Sequence, residues 1–273
     1  MQLLKKLLDF YINSSIHVAL AVFALVKLTQ FMFPIMDDEA TVYFAFFGTI
    51  VGYNFVKYDA LARAQKKQMR SQLKAIAVLS FVALLATGYY FFQLRSTTQI
   101  IGVAFLILTL LYTLPFFPNK KNARNWVGIK IYIVALCWVG VTLFLPIINA
   151  ELPLTNAVFL VALQRFILVF VLILIFEIID LQNDDPHLQT VPQQIGVKRT
   201  KIVGSLLLFI FISLEFLNPT FSFQNLLLKV GIAITVLLFL LFSNEKRSKY
   251  YTSFWVESVP IFWWILVMIS SCL

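Results

Sequence analysis

The fold of this chain is decided by residues 154–196, which read LTNAVFLVALQRFILVFVLILIFEIIDLQNDDPHLQTVPQQIG. Residues 154–180 form an apolar run that exceeds the roughly 20 residues a helix needs to cross a bilayer. Glu177, Asp180 and Asp184 follow at i, i+3 and i+7. A helix that continues through them places all three carboxylates on one face, with Asp180 and Asp184 about 6 Å apart along its axis. The stretch therefore predicts a membrane helix that carries an acidic cluster at its end.

The composition indicates an integral membrane protein. Of the 273 residues, 60% are hydrophobic and 13% are charged, whereas soluble domains are about 25% charged. Only helices and closed barrels satisfy their backbone in lipid, and continuous apolar runs favour helices. We expect one domain, residues 1–273, with an all-α, nine-helix transmembrane bundle. The predicted spans lie near 15–36, 40–62, 74–94, 98–117, 127–149, 154–180, 200–217, 222–243 and 253–272.

The net charge of +9 first raises the question of a nucleic-acid partner. The basic residues, however, alternate with the predicted spans, as the positive-inside rule describes. This pattern predicts a cytoplasmic N-terminus, an external C-terminus and contact with anionic lipid headgroups, with no nucleic-acid partner. The expected location is a bacterial inner membrane, and partner proteins are not indicated. The basic groups are Lys5 and Lys6; Arg63, Lys66, Lys67, Arg70 and Lys74; Lys120, Lys121, Arg124 and Lys130; Lys198, Arg199 and Lys201; Lys246, Arg247 and Lys249.

The acidic cluster has no lysine or arginine within it. Three carboxylates on one face repel each other unless a cation joins them. Hard divalent cations such as Mg²⁺ prefer oxygen ligands and commonly bridge one or two carboxylates to phosphate oxygens. Ionisable groups at a membrane segment are costly and usually functional. We therefore expect Glu177, Asp180 and Asp184 to bind Mg²⁺.

A turn motif follows the acids. Thr190-Val191-Pro192 restrains the chain, and Gly196 allows a sharp turn into the next helix. Lys198 then begins a basic stretch. This order of acids, Thr-hydrophobic-Pro, glycine and basic residues is more specific than an acidic loop.

The segment resembles the second acidic signature of the UbiA superfamily of intramembrane prenyltransferases. That signature is Asp-x-x-Asp-x-x-x-Asp, followed by Thr-Leu-Pro and a glycine. Glu177, Asp180 and Asp184 take the three acid positions, residues 190–192 match Thr-Leu-Pro, and Gly196 matches the glycine. The nine predicted helices agree with the family along the whole chain, although the specific match is confined to residues 176–196.

The resemblance implies a helical bundle with a lateral opening that holds an isoprenyl diphosphate. Carboxylates from two loops would bind Mg²⁺ ions, which in turn bind the diphosphate. The prenyl group would pass to a membrane-associated acceptor, such as an aromatic ring or a quinone precursor. In this scheme Asp180 and Asp184 have catalytic roles, and Thr190 contacts the substrate.

The first acidic signature of the family, Asn-Asp-x-x-Asp-x-x-x-Asp, is degenerate here. Asn54 matches its asparagine, but Phe55, Tyr58 and Ala62 occupy the acid positions. Asp59 is one residue late, which is about 100° around the helix. Lys57 introduces a positive charge, which either replaces part of a metal ion's role against diphosphate or has a structural role, in which it pairs with Asp59 or extends to the interface. We predict a catalytic role for Lys57 and substrate contacts for Asn54 and Asp59, with both interpretations of Lys57 open.

The end of the fourth span resembles the family's tyrosine–proline–basic segment. The predicted substrate-binding residues there are Tyr112, Lys120, Lys121 and Lys130. For the lysines, the alternative is anchoring to the inner surface of the membrane. Arg165, in the middle of the sixth span, needs a partner, with Glu151, Glu215 or a cavity as the options.

Three functions are compatible with these patterns. The first is a Mg²⁺-dependent prenyltransferase with an atypical first metal site. The second is a non-catalytic or repurposed homologue that binds a lipid or assists a partner enzyme. The third, a small transporter, is less consistent with acids that cluster at one membrane surface.

Overall fold

The computed structural model describes residues 2–36, 38–64, 71–113, 128, 130–182, 184, 188–219 and 221–271. Within these ranges the regular structure is entirely helical. The α-helices are α1 (Gln2–Asn13), α2 (Ile16–Met32), α3 (Glu39–Ala64), α4 (Ser71–Phe91), α5 (Ser96–Thr113), α6 (Lys130–Val139), α7 (Leu145–Asn149), α8 (Asn156–Asp180), α9 (Val191–Ile195), α10 (Val197–Ser213), α11 (Phe223–Phe242) and α12 (Val259–Ser271). A π-helical turn, Gly140–Phe144, joins α6 to α7, a 3₁₀ turn, Leu214–Leu217, ends α10, and a π-helical turn, Tyr251–Val256, precedes α12.

The predicted all-α membrane fold is confirmed, but nine membrane crossings are not. Each predicted apolar run contains a helix, yet only six described helical segments are both long and apolar enough to span a bilayer. A seventh arises if α1 and α2, which meet at 57°, count as one broken span. The helix α3 mixes threonine, tyrosine, glycine and asparagine into its apolar sequence, and the described apolar part of α5 is short.

Helix α1 was not expected as a separate element. It carries Lys5 and Lys6, and it exposes Leu3, Leu4 and Leu7. Ser15 has φ 62° and lies between α1 and α2, so the chain turns there before it enters the bundle. A basic helix with exposed leucines at the base of a membrane bundle is typical of an interfacial helix.

Helix α8 lies at the centre of the bundle. Its residues Ile175 and Ile178 are fully buried and belong to one core with residues of α2, α10, α11 and α12. The core of the bundle is therefore built around α8. We call the end that contains Asp180 the acid end and the end that contains Glu151 the opposite end.

Contacts among α1 and the segments that follow α8 and α11 define the acid end. The Tyr250 hydroxyl donates to Asp9 Oδ1 at 2.5 Å, and Lys249 Nζ lies 3.4 Å from the same carboxylate oxygen. This hydrogen bond raises the pKa of Tyr250 because it favours the protonated phenol. Gln182 donates to Glu245 at 2.8 Å, which joins the segment after α8 to the segment after α11. The acid end thus combines α1, the ends of α8 and α11, and the start of the π-helical turn before α12.

Candidate functional site

The first acid of the cluster has a structural contact. Glu177 is 3% exposed, and its Oε2 accepts a hydrogen bond from the backbone N–H of Val191 at 3.1 Å. Val191 is the first residue of α9, so this bond holds α9 against the end of α8. One oxygen of Glu177 is therefore used to position the turn motif.

The other two acids lie where α8 ends. The helix stops at Asp180, earlier than the continuous helix that the spacing predicted, but the Asp184 N–H donates to the Asp180 carbonyl at 2.9 Å. Asp180 is exposed and Asp184 is half-buried. Asp184 Oδ2 is buried and has no hydrogen-bond partner among the described residues. The two carboxylates are close enough to repel each other.

A lysine from another helix faces the acids. Lys130 is half-buried and begins α6. Its charge interacts favourably with both Glu177 and Asp180. The structure thus brings Lys130 together with Glu177, Asp180 and Asp184. Almost fifty residues of sequence separate this lysine from the first acid.

The turn motif has the geometry that its residues predict. Thr190, 3% exposed, caps the N-terminus of α9, and its backbone N–H donates to Gln193 Oε1 at 2.9 Å. Pro192 occupies the second position of α9, where its missing N–H costs nothing. Gly196 has φ +81° between α9 and α10, which confirms the sharp turn expected there.

The residues of the first signature lie on α3 and make a different set of contacts. Asn54 is 3% exposed, and its Nδ2 donates to the Ser14 carbonyl at 3.0 Å and to Ser80 Oγ at 2.9 Å. Its Oδ1 is buried without a partner in the described part of the chain. Lys57 is exposed and donates to Ser15 Oγ at 3.1 Å. Both side chains thus connect α3 to the turn between α1 and α2, and Asn54 also connects it to α4.

Sequence reasoning missed Glu257 at this position. It is half-buried, follows the π-helical turn before α12, and interacts electrostatically with Lys57. A carboxylate within the apolar run 253–272 was the available signal, because ionisable groups in membrane helices rarely lack a partner. Turns of π-helix are themselves frequent at functional sites.

Arg165 does not pair with either carboxylate suggested for it. Glu215 pairs with Lys229, and Glu151 pairs with Arg95. Arg165 instead hydrogen-bonds to Thr29 and Thr142 in the middle of the bundle. Helix periodicity places Arg165 in the span but cannot identify which neighbouring helix faces it.

The remaining predicted residues lie outside the description. The side chains of Asp59 and Tyr112, together with Lys120 and Lys121, are not among the described groups. Their assigned substrate contacts stay predictions.

The donor set at the acid end suits Mg²⁺. Among the residues described, no three Asp, Glu, His or Cys side chains are grouped as a metal site. Mg²⁺, however, is usually held by one or two carboxylates plus substrate phosphates. The neighbouring carboxylates of Asp180 and Asp184 meet that requirement, and Asp184 has one oxygen that accepts no hydrogen bond from the residues described.

Comparisons with known proteins give one relevant similarity. No protein-family model matches the chain, and no curated protein matches its sequence. Among solved structures, the chain is similar to digeranylgeranylglyceryl phosphate synthase in membranes, with a TM-score of 0.57 and 16% identity. The alignment covers 99% of this chain and 100% of that one. At this identity the similarity is one of fold, so the chain shares along its whole length the helical architecture of a membrane synthase.

Proposed function

We propose that this protein is an intramembrane prenyltransferase of the UbiA type. It transfers an isoprenyl group from a prenyl diphosphate to a membrane-associated acceptor of the aromatic or quinone-precursor class. The observation that carries this proposal is the end of α8, where Asp180 and Asp184 lie beside a Thr-Val-Pro turn that Glu177 holds in place. The shared fold with digeranylgeranylglyceryl phosphate synthase supports it.

The carboxylates of Asp180 and Asp184 would hold Mg²⁺ together with oxygens of the diphosphate, and Glu177 completes the acidic set. When bound, the ion neutralises charge that accumulates on the diphosphate leaving group. Lys130 adds a fixed positive charge beside the same acids. A cation placed where negative charge develops stabilises the transition state more than the ground state.

The α3 side of the site contributes different groups. Lys57 uses one of its three N–H donors on Ser15, so two remain for phosphate oxygens. Asn54 Oδ1 has no partner within the described residues and can accept from a ligand or bind a cation. We retain Asp59, Tyr112, Lys120, Lys121 and Thr190 as substrate contacts on the strength of the resemblance.

Diphosphate release tests the proposal. The purified full chain is incubated with Mg²⁺ and labelled geranyl, farnesyl or geranylgeranyl diphosphate, with a membrane extract as the acceptor source. We expect Mg²⁺-dependent release of diphosphate and a labelled lipid-soluble product. Wild-type protein with EDTA and the Asp180→Asn variant should both be inactive, whereas Glu39→Gln, at the opposite end, should retain activity.

A non-catalytic, lipid-binding homologue is the second candidate. It is favoured by α3, where no acid occupies the family's positions and the side chains of Asn54 and Lys57 connect α3 to α2. Mg²⁺-dependent binding of prenyl diphosphate without release, for every chain length, would favour this candidate. Absence of both binding and release would exclude the two together.

A further inference from the structure

A buried ion pair joins α11 to the 3₁₀ turn after α10, away from the acid end. Its members, Lys229 and Glu215, have side chains that are 2% and 0% exposed. Lys229 Nζ also donates to Gln164 Oε1 at 2.9 Å, and Gln164 Nε2 donates to Glu215 Oε2 at 3.1 Å. The positive and the negative charge of the pair cancel, so the pair needs no further ion.

A cavity of about 170 Å³ has both members of the pair in its wall. The wall also contains residues near the end of α2 and at the beginnings of α8 and α11, which lie at the opposite end of the bundle. Two of these residues, Phe31 and Asn225, are exposed, so the cavity runs from that surface inward to the ion pair. The rest of the wall is mainly apolar and includes Leu28, Val161, Trp263 and Val267.

The ion pair keeps capacity for further hydrogen bonds. Lys229 Nζ has three donors and uses two of them within the described structure, on Gln164 and Glu215. Glu215 Oε2 accepts two hydrogen bonds, whereas its Oε1 accepts a single long one, from Asn218 Nδ2 at 3.4 Å. A group that both donates to a carboxylate and accepts from an ammonium therefore matches what the pair has left.

The charge and the lining of the cavity restrict its occupant. An ion would add uncompensated charge to a neutral pair inside the membrane, which is costly. Water suits only the polar part, because an ordered water needs about two to four polar partners and the apolar wall supplies none. An apolar cavity of roughly 150 Å³ accepts a molecule the size of benzene, so an apolar body of similar size fits here. The remaining match is an apolar body with a small neutral head, and a hydroxyl both donates and accepts.

We propose that this cavity binds an amphipathic alcohol, with its hydroxyl at the Lys229–Glu215 pair. The hydroxyl donates to Glu215 and accepts from Lys229, while the carbon chain packs against Val161 and Trp263. The alcohol is supplied either by the aqueous phase, as a short free alcohol, or by the bilayer, as a longer one. Val161 lies sixteen residues before Glu177, about 24 Å along α8, so this site is separate from the diphosphate site.

Quenching of tryptophan fluorescence tests the site, because Trp263 lines the cavity and is 4% exposed. The full chain in phosphatidylcholine nanodiscs is titrated with terminally brominated octanol, whose bromine quenches a tryptophan on contact. We expect saturable quenching that is lost in Trp263→Phe. Octanol should displace the probe at a concentration in the lipid at least tenfold lower than octane, which has no hydroxyl. Propanol that displaces the probe as well as octanol identifies a short free alcohol as the source, and weaker displacement identifies an alcohol of the bilayer.

Variants separate the cavity from its polar groups. Ala157→Phe fills part of the cavity but leaves the ion pair intact, and it should weaken binding of the probe at least tenfold. Leu163→Phe, at a position of α8 that is 47% exposed and outside the cavity wall, is the matched control and should bind as wild type. The double variant Glu215→Gln with Lys229→Met removes both charges together and should bind octanol and octane equally.

Three results overturn the proposal: quenching that does not saturate, saturable quenching that persists in Trp263→Phe, and equal displacement by octane and octanol in the wild type. If the double variant does not fold, unchanged affinity in Ala157→Phe overturns it.

Discussion

The ends of α8 and α3 both place polar groups at the acid end, but they use them differently. At the end of α8, Asp180 is exposed, and Asp184, four residues further on, keeps a buried oxygen without a partner in the described structure. On α3, Asn54 donates two hydrogen bonds and Lys57 donates one, all to groups of the protein. The α8 acids repel each other, whereas the α3 groups join helices.

This difference separates two uses of a polar residue. Neighbouring carboxylates repel each other in the free protein, and Lys130 offsets only part of that repulsion, so their presence is explained best by a ligand that they bind. A buried amide with two partners contributes to stability whether or not a ligand binds. Glu177 combines both uses, because it fixes α9 and belongs to the acidic cluster.

The largest expected effect is at Asp180 and Asp184. Asp180→Asn and Asp184→Asn should each lower Mg²⁺-dependent affinity for prenyl diphosphate by about 100-fold, because an amide supplies a weaker, neutral ligand. Their Tm without ligand should be equal to wild type or higher, because a like-charge repulsion is removed. Isothermal titration calorimetry and thermal unfolding measure the two effects, with Glu39→Gln as the control. A large loss of Tm with unchanged affinity would make these acids structural.

A smaller effect is expected at Glu177. Glu177→Leu leaves the Val191 N–H unpaired and should lower the free energy of unfolding by about 1–3 kcal/mol. Glu177→Gln keeps an oxygen acceptor and should lose less. Thermal unfolding and protease cleavage near residues 188–196 report the release of α9. If both variants are as stable as wild type, the contact with Val191 does not hold the turn motif.

The smallest effect is expected at Lys57. Lys57→Met retains the aliphatic stem but removes a charge that is exposed to solvent, so metal-independent affinity for diphosphate should fall only about twofold to fivefold. Fluorescence titration with a labelled prenyl diphosphate in EDTA measures this change. Lys27→Met, in α2, is a charge-matched control. A change in Tm without any change in affinity would assign Lys57 to the contact between α3 and α2 alone.

Several features could be predicted from the sequence because they depend on local chemistry. The apolar runs located the helices, and Pro192 and Gly196 predicted the turn between α9 and α10. The span predicted over 154–180 ends where α8 ends, at Asp180. The i, i+3, i+7 spacing could not show that the regular helix stops before Asp184, which one further i→i+4 hydrogen bond reaches. Nine crossings are not confirmed, because a helical apolar run need not be a full span.

The sequence alone determined that this is a helical membrane protein with an acidic cluster at the end of its most apolar helix. Hydropathy and helical periodicity encode both properties within a single segment. Only the tertiary structure decided that Lys130 faces the acids, that the Val191 N–H donates to Glu177, and that Glu215 pairs with Lys229 rather than Arg165. Those pairings join segments that are remote in sequence. Because the interior of the bundle has a low dielectric constant, charged side chains there need partners, and the packing of the helices determines which side chains pair.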